Sequence, residues 1–114
     1  MKYMLLIYEN EANYAGEAGE KLLADIIVQH MKLGADLAAS GIDWSGSELS
    51  PTFTAATVNK DGVVHDGPFA ETHEQLGGYY MVDVPDRETA IVWARKIPLS
   101  PGGKDEVRPT GGHG

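Results

Sequence analysis

Cysteine is absent from all 114 residues. That excludes disulfides, thiolate zinc sites, iron–sulfur clusters and cysteine nucleophiles. Basic residues are scarce: nine Lys and Arg stand against seventeen Asp and Glu, a net charge of −8. Their longest cluster is the pair Arg95-Lys96. An acidic field of this kind repels phosphate backbones and anionic headgroups, so neither a nucleic-acid nor a membrane partner is expected. Long hydrophobic runs are missing as well. The apolar stretch Tyr3–Tyr8 stops at Glu9, too short for a signal-peptide core or a membrane span, and the cytoplasm is the expected location. No GxSxG, phosphate-loop or GxGxxG pattern occurs. His65, Asp66 and His73 fit no zinc spacing, so no metal and no cofactor is expected.

What is present reads as one domain over residues 1–114, with 111–114 as a frayed tail. Lys2–Tyr8 is apolar at both parities, which predicts a strand covered on both sides. A polar loop leads to a helix from about Glu20 to Ser40 that stops at Gly41. Leu23, Ile26, His30, Leu33 and Leu37 share its apolar stripe. Ile42–Leu49 and Phe53–Asn59 predict strands, and Lys60-Asp61-Gly62 predicts a hairpin into Val63-Val64-His65. Gly78–Val84 is another doubly apolar strand. Asp86 caps a second helix running to about Ile97, before Pro98. Glu106–Pro109 closes the chain as a short strand.

The order β-α-β-β-α-β, with an extra short strand or two in the middle, predicts an α+β fold. It is a ferredoxin-like sandwich, with both helices on one face of an antiparallel sheet. Two helices cover only one face, yet two strands are apolar on both. A homodimer formed through the open face resolves the conflict.

The most distinctive segment is Asp66-Gly67-Pro68-Phe69-Ala70-Glu71-Thr72, followed by Glu74-Gln75-Leu76-Gly77-Gly78-Tyr79-Tyr80. Gly67 and Pro68 in tandem force a sharp turn. Thr72 and Gln75 have capping-box spacing, and Gly77 is suited to closing a one-turn helix. Together with the opening Met1–Tyr8, with Ala90, Trp93-Ala94 and Ile97-Pro98, and with Glu106–Pro109, this segment resembles the YCII-related superfamily in its DGPF branch. The resemblance implies a dimeric ferredoxin-like fold. Some relatives are associated with extracytoplasmic-function sigma factors, and some members of the wider superfamily are small enzymes with a proposed His–Asp pair. His30 matches the helix histidine of those enzymes, whereas Ala39, near the expected aspartate, is not acidic. His73 stands where the family usually has lysine, and Trp44 after the first helix is a further departure.

His30 is thus either a hydrogen-bonded core histidine or a proton shuttle poised by burial. Asp66 is either a turn aspartate bonding its own backbone or a carboxylate that orients the reaction. Arg108 could clamp a substrate carboxylate or form a salt bridge, and Trp44, Tyr79 and Tyr80 could line an aromatic pocket or pack in the core. Two functions follow. One is a cofactor-free enzyme using His30 as general acid/base, with Asp66 as catalytic partner, on an apolar cyclic or aromatic small molecule. The other is a non-catalytic, dimeric ligand-binding or regulatory accessory domain related to sigma factors.

Overall fold

The computed structural model describes residues 1–70 and 72–111. Glu71 and the expected tail beyond Gly111 lie outside the described residues. Strand β1 spans Lys2–Glu9, helix α1 Gly16–Ser40 and strand β2 Trp44–Glu48. Two short strands follow, β3 at Ala56–Val58 and β4 at Val64–Asp66. Strand β5 spans Gln75–Asp83, helix α2 Arg87–Ala94 and strand β6 Lys104–Pro109. The main sheet has the order β2-β5-β1-β6 with every neighbour antiparallel, while β3 and β4 pair apart from it. This is the ferredoxin-like α+β arrangement that the element order predicts.

Strand parity decides the core. Tyr3, Leu5 and Ile7 of β1 are buried, as are Gly78 and Val82 of β5, which pair with Ile7 and Tyr3. Leu33 and Leu37 of α1 and Ala90 and Ala94 of α2 pack onto the same layer. Opposite parity leaves Met4, Leu6 and Tyr8 half-buried beside Tyr79 and Met81. Among the described residues no helix covers that row, so the second apolar face of β1 and β5 is open there.

The first helix begins at Gly16 rather than near Glu20. Asn10 caps a 3-10 turn at Glu11–Tyr14 by accepting from the Ala12 N–H at 3.0 Å, and α1 starts immediately after it. The tight junction relies on Gly19, where a Cβ would stand 2.1 Å from the Tyr14 carbonyl carbon. The helix ends at left-handed Gly41, as expected. Within its stripe, Ile26, Leu33 and Leu37 are buried, but Leu23 is 38% exposed.

Two expectations are corrected between β2 and β5. Phe53 belongs to a 3-10 turn, Thr52–Thr54, rather than to a strand. The Glu11 carboxylate draws that turn in, accepting from the Thr52 N–H and Thr52 Oγ1 at 2.8 Å each. Thr72 and Gln75 form no helical turn. The Gln75 amide donates to the Ala70 and Thr72 carbonyls at 2.9 and 2.8 Å, and Gln75 and Gly77 are already strand. Gly67 does adopt a positive φ of 102°, with its N–H donating to the Ala55 carbonyl at 2.6 Å. Asp86 caps α2 by accepting from the Thr89 N–H at 2.8 Å, and the bond from the Thr89 hydroxyl foremost, then this one, holds its carboxyl below the usual range. The helix proper stops at Ala94, and buried Ile97 follows in a turn before Pro98.

Candidate functional site

The helix layer does not fill the whole covered face of the sheet. Between α1 and the ends of β1, β2 and β5 lies a cleft of about 910 Å³. His30 projects from the middle of α1 into it, and its half-burial follows from that position rather than from sealing in the core. Its Nδ1 lies 2.7 Å from the Tyr80 hydroxyl, and the two rings stack at 5.8 Å between centroids. Trp44 extends the aromatic wall, 6.1 Å from Tyr80. Local sequence explains how the tyrosine fits. Gly46 is opposite Tyr80 in the β2–β5 register, and a Cβ there would come within 2.9 Å of the Tyr80 ring.

Carboxylates occupy one end of the cleft. Glu9, at the end of β1, accepts from the Tyr14 hydroxyl at 2.7 Å and from the Ser100 N–H at 2.6 Å, both through Oε2. Glu48 lines the cleft from β2. Burial pushes the His30 imidazole below its ordinary pKa of 6.5, while Glu9 and then Glu48 pull in the other direction. Burial prevails, so the ring is neutral near pH 7. Desolvation likewise raises the Tyr80 phenol. Burial foremost, helped by Tyr14's bond to Glu9, pushes its phenol up to about 12.

The neutral His30–Tyr80 pair can hold its proton in two ways. With Nδ1–H donating to the phenol oxygen, Nε2 carries a lone pair and is a base. With the phenol O–H donating to Nδ1, Nε2 carries the proton of a neutral imidazole, which is no acid near pH 7. The acid is the imidazolium that forms when Nε2 of the first tautomer takes a proton, with Nδ1–H still donating to Tyr80. One hydrogen bond therefore supports both halves of a proton shuttle.

The other residues singled out in the sequence are placed less uniformly. Trp44 lines the cleft, and Tyr79 borders it although its pairing with Leu6 puts it in the row of the open face. Arg108 pairs with Met4, which also assigns it to the open face, and it forms an ion pair with Glu106. Asp66 is exposed on β4, opposite Ala56 in the separate hairpin. Neither joins His30 in the cleft. Among the described residues no carboxylate hydrogen-bonds to His30.

Sequence reasoning noticed Tyr80 only as a possible pocket aromatic and overlooked Glu9, Tyr14, Glu48 and Asp105. Asp105 pairs with Ile7 and so faces the covered side. Its Oδ1 is buried without a hydrogen-bond partner among the described residues, and desolvation, with Glu9 nearby, raises the carboxyl to about 7. Period-two counting from Val107 would have found it, had the last strand been extended two residues earlier.

A family model of the YCII-related domain matches residues 1–109. The chain belongs to the YCII-related family. An uncharacterized protein of Rhizobium meliloti (strain 1021) is 33% identical over 117 residues, covering 96% of this chain and 91% of that one. The YCII-related match takes in the cleft, the hairpin and all six strands. Neither similarity supplies an activity, so the chemistry of this YCII-related domain is argued from the cleft itself.

Proposed function

We propose that the protein is a small, cofactor-free acid–base enzyme whose proton shuttle is His30, acting on an apolar cyclic or aromatic molecule held in the α1 cleft. The observation that carries this reading is a neutral, half-buried imidazole, bonded to a phenol and lining an apolar cleft of about 910 Å³. A general base requires reach and a free lone pair at the working pH, and burial, which lowers the His30 pKa, keeps the ring in that form. Tyr80 orients the ring, and Trp44 offers a face on which a planar substrate can stack. The open sheet face is the surface of a homodimer, the Asp66–Phe69 turn marks the DGPF branch of the family, and the working compartment is the cytoplasm.

The test is His30→Asn, which keeps a polar group of similar size and removes proton transfer. In a substrate screen, any turnover found for the parent should disappear, with melting temperature and sedimentation nearly unchanged. A variant that melts lower yet turns over substrate would refute His30 as the proton shuttle and leave it a structural histidine. A second reading is a dimeric binding or regulatory module, as the sigma-factor association of relatives suggests. It is favoured by one observation: His30 has a phenol and no carboxylate as its hydrogen-bond partner among the described residues.

A further inference from the structure

We infer that the cleft selects a cation: a protonated amine carried on an apolar, ring-sized body. The inference rests on the cleft being a small-molecule site and specifies the charge of its ligand. Three carboxylates, Glu9, Glu11 and Glu48, line the cleft, and no Lys or Arg does. None of the three takes part in an ion pair among the described residues, where the pairs involve Asp83, Glu74 and Glu106. His30 is neutral and leaves their charge uncompensated.

The carboxylates are not equally available. Both Glu11 oxygens are engaged by Thr52, and Glu9 Oε2 by Tyr14 and Ser100. The Glu48 side chain makes no hydrogen bond among the described residues and is exposed, which leaves it open to a ligand. Low-dielectric walls concentrate a field of one sign, and here that field favours cations and rejects carboxylate-bearing ligands. The aromatic wall acts in the same sense, because the faces of Trp44 and Tyr80 present negative charge to a cation. Apolar side chains of α1, among them Ile26, Ile27 and Met31, receive the body of the molecule.

Three probes of matched size separate the contributions: phenethylamine, 2-phenylethanol and 3-phenylpropionate. Each is titrated at pH 7 and low salt into the full-length protein labelled with nitrogen-15. The Trp44 indole N–H and the Gly46 and Gly78 amides report on the cleft. The amine should bind about tenfold more tightly than the alcohol, and the carboxylate more weakly than either. Glu48→Gln should erase most of the amine's advantage, with alcohol binding and melting temperature unchanged. If the alcohol and carboxylate bind at these residues as tightly as the amine, or if Glu48→Gln leaves the amine's affinity intact, the charge inference is overturned while the cleft reading survives. If no probe moves the cleft resonances, both are overturned.

Discussion

Replacing Asp105 with asparagine isolates one carboxyl whose proton is tied to folding. Asp105 faces the covered side of the sheet with Oδ1 buried and unpartnered among the described residues, and burial and Glu9 raise its pKa from 3.8 to about 7. A folded-state value above the unfolded one means that the group's contribution is fully present below about pH 4 and is lost as pH rises through 7. The whole rise would correspond to ~4 kcal/mol, and partial solvent access reduces this to ~1–2 kcal/mol. Asparagine cannot ionise, so Asp105→Asn should lack this loss. The assay is urea unfolding of parent and variant at pH 5 and pH 8. Any constant cost of the amide cancels in the difference between the two pH values, as do titrating groups that do not interact with Asp105. The variant should gain ~1 kcal/mol relative to the parent on going from pH 5 to pH 8, because about a third of the loss is already complete at pH 5. An identical stability difference at both pH values would show that Asp105 ionises freely in the folded protein.

Tyr80→Phe keeps the ring and removes the hydroxyl bonded to His30 Nδ1; denaturant unfolding should show a loss of ~1 kcal/mol, and no loss would mean that the bond contributes nothing. Gly67→Val places a Cβ at a φ of 102° with no clashing atom within 4 Å, so a loss of ~1–3 kcal/mol from backbone strain alone is expected in thermal melts. Equal melting of parent and variant would make the turn an ordinary one. Sedimentation equilibrium at micromolar concentration should give about twice 12.3 kDa, and Leu6→Asp, in the middle of the open face, should give a monomer. A parent that sediments as a monomer would refute the homodimer.

Much of the fold was legible because alternation and capping are local. The two parities of β1, the Gly41 stop and the Asp86 cap each depend on a few neighbouring residues, and each is found where expected. The capping-box spacing of Thr72 and Gln75 failed because β1 offers Gln75 a strand partner in Glu9, and pairing outweighs a weak local preference. The site was less legible. His30 was marked by its stripe, but its partner Tyr80 is fifty residues away in sequence, and no spacing rule connects a helix to a strand across a sheet. Arg108 was drawn toward the site by its charge, whereas the register with Met4 assigns it to the other face. Glu9 and Asp105 lie just outside the strands that the sequence predicts, where charged residues are ordinarily solvated.

The β3–β4 hairpin hydrogen-bonds as a sheet of its own and sits inside the connection from β2 to β5. Its length is therefore decoupled from the register of the four main strands. Insertions and deletions at its tip, around Lys60-Asp61-Gly62, are absorbed without moving Tyr80 or Gly46. The base of the same connection carries Leu49, Pro51 and Phe53, which form part of the cleft wall. The connection thus behaves as an interchangeable module: descendants of one scaffold can acquire new ligand preferences by exchanging this loop, while the stability of the four-stranded core remains under separate selection.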